Sequence, residues 1–335
     1  MVHKAVVLAT EAPAALPVAN RALAAHALDC LAGAGVRQAA VVLGSEAADL
    51  ELETVDAAAG MEVSWLPDDG EAGLGAALDR LAGFIGDDPF VLHLADSLSR
   101  SSLRLLLGPR AGARDSRVLV QQAPRDASVV ELARRRVMRA TGDDATSAAG
   151  IWVLGPGALE EACRVPPSGS LEVDVMRTTY RLAELGGRLD VREVTDWWRF
   201  DESPEALLEG NRFALEGLRS EPVEAHVVDT RIQGAVQVHR TACLESSVVR
   251  GPAVIGAGTR LRDAYVGPYT AIGPDVLLEG AEIEHSVVLP GASICHLGGR
   301  LEASVVGPRA RIFRDFRLPR ALRLNIGEGA EVSLA

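Results

Sequence analysis

Short apolar runs alternate with stretches of helical periodicity from residue 1 to about residue 218. The apolar runs lie at residues 4–9, 40–44, 63–66, 90–94, 118–120 and 151–154. Helical stretches include an alanine-rich segment that ends near residue 31, residues 74–84, and residues 204–218 with a proline in the first turn. Because strands and helices alternate, the pattern predicts a doubly wound, mostly parallel α/β sheet.

The period of the pattern changes near residue 227. Val248, Val254, Val266, Ile272 and Leu278 recur at multiples of six residues, with one interruption at position 260. A run of hairpins would instead show strict alternation and wider turn spacing. Six-residue periodicity predicts a parallel β-helix with three short strands per coil, each turning one apolar residue inward.

These two patterns divide the chain. We predict an α/β domain over residues 1–220, a linker at residues 219–224, and a β-helix domain over residues 227–335 whose coils end near residue 312 before a C-terminal tail. The strand-rich faces of a β-helix usually pack against a partner, so we also expect a homo-oligomer.

Charge and composition narrow the range of partners. The 335 residues carry a net charge of −12, which makes nucleic acid an unsuitable partner because phosphate binding needs a basic face. No apolar run approaches the length of about 18 residues that suggests a membrane span, and the chain enters its first strand without a signal peptide. We therefore expect a cytoplasmic protein.

The four cysteines are far apart and form no Cys-x-x-Cys motif, which favours reduced core residues over a disulfide or zinc set. They are Cys30, Cys163, Cys243 and Cys295.

Several segments resemble one protein family. The segment Pro-Val-Ala-Asn-Arg-Ala-Leu at residues 17–23 and the segments at residues 247–256, 265–273, 284–289 and 319–324 resemble the long-form glucose-1-phosphate thymidylyltransferases. These belong to the wider sugar-1-phosphate nucleotidylyltransferase family. The resemblance implies a Rossmann-like nucleotidyltransferase domain followed by a left-handed β-helix. It also implies transfer of a nucleotide to a sugar 1-phosphate, with Mg²⁺ held by carboxylates.

The chain departs from that family where the phosphates would bind. The glycine-rich loop expected between Ala9 and Pro17 is missing, and an acidic pair, Asp143 and Asp144, replaces the lysine that would meet the sugar phosphate. Lys4 is the only lysine, and it starts the first strand, at the wrong end for a site at the strand C-termini. The active site is therefore degenerate, and nucleotidyl transfer should be undetectable.

The metal ligands are also incomplete. Asp96 matches the first metal carboxylate of the family, although a strand-end or capping role is the alternative for it. The second carboxylate position is occupied by Phe200, and Asp201, one residue further on, would face the other way. We predict no cofactor, with Mg²⁺ needed only if the protein is an active transferase, in which case Asp96 is the one candidate ligand.

The remaining candidates line the expected cleft. Carboxylates that could act as general acids or bases are Asp96, Glu131, Asp143, Glu172 and Asp201. Candidate ligand-binding residues are Gly73, Leu74, Gly150, Trp197 and Trp198. For the tryptophan pair the alternative is packing between the domains, and His93, on an apolar strand, is interpreted as a core histidine.

Three functions follow from these residues. The first is a non-catalytic homologue that acts as a binding, scaffold or regulatory protein. The second is an enzyme that uses cleft carboxylates on an uncharged or cationic small molecule. The third is an active sugar-1-phosphate nucleotidylyltransferase with an atypical phosphate loop.

Overall fold

A computed structural model describes residues 2–10, 14–44, 60–68, 73–100, 103–104, 108, 112–120 and 148–316. The strands of its N-terminal part are β1 (Lys4–Ala9), β2 (Pro17–Val18), β3 (Arg21–Ala22), β4 (Gln38–Leu43), β5 (Glu62–Pro67), β6 (Phe90–Leu94), β7 (Ser97–Ser99), β8 (Ser116–Val120), β9 (Ala148–Leu154), β10 (Leu189–Glu193) and β11 (Trp197–Arg199). The helices described there are α1 (Leu23–Ala34), α2 (Leu74–Arg80), α3 (Ala82–Ile85), α4 (Ala158–Cys163), α5 (Leu171–Glu184) and α6 (Pro204–Glu216).

Seven of these strands form one mixed sheet in the order β10-β8-β9-β6-β1-β4-β5. Strands β6, β1, β4 and β5 are parallel, whereas β9 lies antiparallel to both β6 and β8. Each predicted strand is present. The predicted helix over residues 74–84 is instead two helices, because the backbone at Leu81 leaves helical geometry between α2 and α3.

Helices cover both faces of this sheet. Val7 of β1 faces the side where Leu28 of α1 packs, and Val6 faces the opposite side, with Leu78 of α2 and Val175 of α5. Successive strand residues point to opposite faces, so a strand buried on both sides is apolar throughout. The doubly wound α/β architecture predicted from the pattern is confirmed.

The C-terminal part is a stack of short parallel strands. They are β12 (His226–Val228), β13 (Arg231–Gln233), β14 (Val236–Val238), β15 (Cys243–Glu245), β16 (Val248–Arg250), β17 (Ala253–Ile255), β18 (Arg260–Arg262), β19 (Tyr265–Val266), β20 (Thr270–Ile272), β21 (Leu277–Glu279), β22 (Glu282–Glu284), β23 (Val287–Val288), β24 (Ser293–Cys295), β25 (Arg300–Glu302), β26 (Val305–Val306) and β27 (Arg311–Phe313). Every third strand pairs, which gives three parallel sheets. This is the predicted parallel β-helix, in the arrangement expected for the left-handed class.

The register of the coils corrects part of the predicted core. Cys243 pairs with Arg260, and Arg260 pairs with Leu277, so these coils advance by 17 residues rather than by three times six. Where one turn is a residue shorter, the neighbouring side chain takes the inward position.

The predicted inward residues Val266, Ile272 and Leu278 do lie in the β-helix core. At the three earlier positions the inward residues are instead Val249, Ile255 and Leu261, each one residue further along the chain. The interruption at position 260 in the six-residue pattern is explained, because Leu261 fills the core there.

Helix α6 joins the two parts of the molecule. Asn211 on this helix is fully buried; its Oδ1 accepts from the backbone N–H of Ala19 at 3.1 Å and its Nδ2 donates to the carbonyl of Tyr269 at 2.9 Å. Asn20 adds a bond from its Nδ2 to the carbonyl of Ile272 at 2.7 Å. Residues 219–224, the predicted linker, are exposed and belong to no helix or strand.

The cysteines do not all lie in the core, which corrects the sequence prediction. Cys163 is exposed, and Cys30, Cys243 and Cys295 are partly buried. Cys243 and Cys295 lie on the outer side of the β-helix because Leu244 takes the inward position in β15 and Ile294 takes it in β24. Among the described helices, none has the length and apolar character needed to cross a membrane.

Candidate functional site

The guanidinium group of Arg199 lies between two of the predicted carboxylates. Its Nε donates to Oδ2 of Asp96 at 2.6 Å, and its Nη1 donates to Oε2 of Glu172 at 2.5 Å. The side chains of Asp96, Glu172 and Arg199 are 12%, 26% and 24% exposed. The structure therefore brings Asp96 and Glu172 together, through an arginine of the same chain.

Strand pairing places Arg199 beside Asp96. Asp96 follows the buried strand β6, and β7 then pairs antiparallel with β11, which sets Arg199 opposite Ser97. The backbone N–H of Phe200 also donates to the carbonyl of Asp96 at 2.8 Å. Because Asp96 stands after the C-terminal end of a parallel strand, it lies at the sheet edge where ligands of open α/β folds bind.

Glu172 approaches from the first turn of α5. This helix begins after Ser170, whose hydroxyl caps the backbone N–H of Val173. A carboxylate in the first turn is favoured by the helix dipole. Glu172 is thus held at the start of a well-capped helix.

Burial dominates the electrostatics of Asp96. Removal from water raises the pKa of Asp96, and Arg199 offsets that rise only in part. Burial opposes the charge of Arg199, but Asp96 and Glu172 together raise the pKa of its guanidinium. The second oxygen of Asp96, Oδ1, is buried and finds no hydrogen-bond partner among the residues that the structure describes.

Gly150 borders this unpartnered oxygen. Its φ is +71°, and a Cβ added there would lie 3.2 Å from both Oδ1 of Asp96 and Oγ of Ser97. The neighbouring carbonyl of Ala149 accepts from the indole Nε1 of Trp197 at 2.9 Å and from Ser97 Oγ at 3.1 Å. Of the predicted ligand-binding residues, Gly150 and Trp197 therefore lie next to the Asp96–Arg199 pair.

Trp198 and Phe200 face the other side of β11. The Trp198 ring is 6.2 Å from the ring of Phe200 and belongs to a cluster that includes Leu207 of α6 and Val287 of the β-helix. A Cβ at Gly210 would lie 2.5 Å from the Trp198 ring. The packing alternative for the tryptophan pair is confirmed for Trp198, which lies between the two parts of the molecule.

Three other candidates lie elsewhere. Asp201 is exposed, and its Oδ1 accepts from the backbone N–H and the hydroxyl of Ser203 at the start of α6, which lowers the pKa of Asp201. Leu74 is buried in the core beneath the sheet. Gly73 precedes α2 with a φ of +98°, and a Cβ there would lie 2.9 Å from the Pro167 ring.

The remaining two predicted carboxylates, Glu131 and Asp143, lie outside the described residues.

His93 is a buried residue of β6, as predicted. Its Nδ1 hydrogen bonds to the carbonyl of Leu94, and burial lowers its pKa to about 4 despite that bond. The ring is therefore neutral at neutral pH.

Backbone N–H groups at the start of α1 are bound by carbonyls of the chain itself. The N–H groups of Leu23 and Ala24 donate to the carbonyls of Leu16 and Ala14, each at 3.1 Å. Backbone N–H groups at a helix start are the usual ligands of a phosphate. Two of the four such groups in the first turn of α1 already have protein partners.

Lys4 is engaged away from the site. Its Nζ donates to the carbonyl of Ile85 at 3.1 Å and lies 2.9 Å from Oδ2 of Asp88. The only lysine of the chain thus lies at the start of β1, as the sequence predicted.

The residues at the site do not fit Mg²⁺. The ion requires several oxygen ligands in octahedral geometry. Each of the two carboxylates already gives one oxygen to the Arg199 guanidinium, which leaves at most one oxygen of each for a metal ion. Phe200 has no side-chain oxygen, and Asp201 is directed to Ser203.

Sequence reasoning missed Arg199. One signal was available: in an extended strand Trp197, Arg199 and Asp201 share a face, so a charged residue at position 199 has to reach a carboxylate or solvent. The partner itself could not be read from this spacing.

No protein-family model matches the chain. Two glucose-1-phosphate thymidylyltransferases, from Streptomyces griseus and Streptomyces antibioticus, are 28% and 27% identical to it over 97% of this chain and 94% of theirs. A solved Bacillus anthracis structure, named for the same enzyme, matches with a TM-score of 0.51 at 16% identity, over 65% of this chain and 97% of that one. The chain is thus similar along nearly its whole length to glucose-1-phosphate thymidylyltransferases, and its α/β domain has the nucleotidyltransferase fold.

Proposed function

We propose that this protein is a sugar-1-phosphate nucleotidylyltransferase homologue that has lost nucleotidyl transfer and binds a small molecule without phosphate groups in its α/β cleft. The observation that carries the proposal is the position of Arg199 between Asp96 and Glu172. The enzymes it resembles need carboxylates free to hold a metal ion, whereas here the guanidinium group of Arg199 binds one oxygen of each carboxylate.

The phosphate side of the site supports the same proposal. Nucleotidyl transfer needs N–H donors and cations around the phosphates, and loss of a single preorganised donor costs about 2.7–4 kcal/mol in the transition state. In this chain the glycine-rich loop is absent, Lys4 pairs with Asp88, and Leu23 and Ala24 donate to chain carbonyls. These losses combine, so the expected rate is below detection even though such effects are not additive.

The charge of the site indicates the ligand class. Two carboxylates and one guanidinium leave a net negative charge at the site. This charge repels phosphates and favours binding of an uncharged or cationic molecule. Oδ1 of Asp96 is the acceptor that we assign to such a ligand, because it has no partner among the described residues.

The test is a pyrophosphate-release assay with glucose 1-phosphate, Mg²⁺ and either dTTP or UTP. The Streptomyces griseus relative serves as a positive control under the same conditions. We expect no release above background, and no rise in melting temperature with either nucleotide, because stabilisation requires measurable binding. Turnover that Asp96→Asn abolishes would overturn the proposal and restore the active-transferase alternative.

A second candidate is an enzyme in which Asp96 acts as a general acid or base. Its buried position raises the pKa of Asp96, which is a property of catalytic carboxylates. A metabolite that stabilises the protein would be tested for conversion by the wild type and by Asp96→Asn. Conversion by the wild type alone would favour this enzyme, and stabilisation without conversion would favour the binding protein.

A further inference from the structure

Three potential metal ligands meet on the outer face of the first coils of the β-helix. His226 of β12 is in register with Cys243 of β15, and Glu245 lies two residues further along β15 on the same outer face. A nitrogen of His226, the sulfur of Cys243 and a carboxylate oxygen of Glu245 all lie within 4.8 Å of one another. None of these residues belongs to the Asp96–Arg199 site.

The distances suit a small tetrahedral ion. Zn²⁺ binds nitrogen, oxygen and sulfur at about 2.0–2.3 Å, which places tetrahedral ligands roughly 3.3–3.8 Å apart. The sulfur of Cys243 is already 3.7 Å from Oε1 of Glu245. Small side-chain rotations of the exposed His226 would complete a three-ligand site with one position open to water.

The hydrogen bonds around Glu245 leave its Oε1 oxygen available to bind a metal ion. Its Oε2 accepts from Nε of Arg262 at 3.3 Å, while Oε1 faces the sulfur of Cys243. A ligating carboxylate commonly has its other oxygen hydrogen-bonded in this way. Arg260 is in register with Cys243 and adds a positive charge near the site. The negative charges of the thiolate and the carboxylate are therefore both needed to balance a divalent ion.

The location gives such an ion a structural role. Strand β12 is the edge of its sheet, and its three residues are all exposed. Only its ladder to β15 holds this strand in the sheet, and exposed edges are prone to fraying and to unwanted pairing. An ion shared between His226 on β12 and two residues on β15 would fasten the edge strand.

We propose that His226, Cys243 and Glu245 form a zinc site that fastens the first strand of the β-helix to the second coil. The cysteine spacing in the sequence gives no sign of this site, because the ligands come from two coils 17 residues apart. The proposal is independent of the function of the α/β cleft.

Cobalt(II) provides the test, because it replaces zinc and its bond to a thiolate gives a near-ultraviolet charge-transfer absorption. Untagged full-length protein, freed of metal with a chelator, is titrated with cobalt and then with zinc. We expect the absorption to saturate at one cobalt per chain and to disappear as zinc displaces it. Zinc should also raise the melting temperature.

Cys295→Ser is the matched control for Cys243→Ser. Cys295 lies on the outer face of the same sheet, is also partly buried, and contacts Ser293 instead of a histidine. Cys243→Ser should abolish the cobalt absorption, and His226→Ala should weaken cobalt binding by more than the roughly 10–100-fold typical of an outer-shell loss. Cys295→Ser should change neither.

His226→Ala also serves as the control for misfolding. Its side chain is exposed, so its removal should leave the circular dichroism spectrum unchanged. Absence of the thiolate absorption in the wild type would overturn the proposal. So would an absorption that Cys295→Ser removes, or one that folded His226→Ala retains at wild-type affinity.

Discussion

Nε of Arg199 lies 2.6 Å from Oδ2 of Asp96, although the two residues are 103 positions apart in the chain. A guanidinium group keeps its charge at any pH that a protein tolerates. A chelator can remove a bound metal ion, but it cannot remove this side-chain cation. Nor does this cation enter the site together with a substrate. The counter-charge of Asp96 is therefore supplied by the chain itself.

Replacement of Arg199 by leucine should lower the free energy of unfolding by about 3 kcal/mol at neutral pH, the low end for breaking a buried ion pair. The reason is that Asp96 would remain buried without its counter-charge. Burial already raises the pKa of Asp96, so protonation should reduce the loss at acid pH. Urea denaturation at several pH values measures both effects.

Arg192→Leu is the control for this change. Arg192 pairs with Asp190 on the surface, where the two side chains are 56% and 38% exposed, so its loss should cost under about 1 kcal/mol. Equal losses in the two variants would contradict a special role for Arg199.

Gly150→Ala should lower the free energy of unfolding by about 1–3 kcal/mol. The backbone there has a φ of +71°, and the added methyl group would crowd Asp96 and Ser97 at 3.2 Å. Gly33→Ala is the matched control, since a Cβ at this exposed position in α1 meets nothing within 4 Å. It should leave stability unchanged or raise it by up to about 0.5 kcal/mol, because alanine favours helical backbone over glycine and this position lies in the last turn of α1. Thermal and urea denaturation of both variants test the contrast, and destabilisation by both would argue against it.

Asn211→Ala should destabilise the junction between the two parts of the chain. The change leaves the N–H of Ala19 and the carbonyl of Tyr269 without their partner, at about 1–3 kcal/mol for each buried group. Arg212→Ala, next to it on α6, removes only exposed ion pairs and should cost under about 1 kcal/mol. Denaturation curves compare the two variants, and limited proteolysis at residues 219–224 should be faster only in Asn211→Ala.

Protonation of His93 should make the protein less stable in acid. Its pKa is about 4 in the folded state and 6.5 when unperturbed, so the unfolded chain binds the proton first. Stability from this group is complete above pH 6.5 and is lost as the pH falls towards 4, by up to about 3 kcal/mol. His93→Gln lacks this titration. The stability difference between wild type and His93→Gln should therefore shrink as the pH falls, and a constant difference would refute the assignment.

The amino-acid sequence by itself determined the architecture. Apolar runs such as residues 90–94 predicted buried strands because a strand covered on both faces must be apolar throughout. The six-residue repeat predicted the β-helix, since the period is set by local chain geometry. The missing glycine-rich loop and the isolated Lys4 were visible without coordinates, because both are statements about residue identity.

Tertiary structure alone decided which side chains meet. Asp96 and Arg199 became partners through the antiparallel pairing of β7 with β11, and the register of that pairing sets Arg199 opposite Ser97. Likewise a turn shorter by one residue gives the inward position to Leu261, and two adjacent coils bring His226 to Cys243. A periodic pattern specifies which face a residue occupies, but the neighbour on that face depends on strand order and register, which form only when distant segments pack.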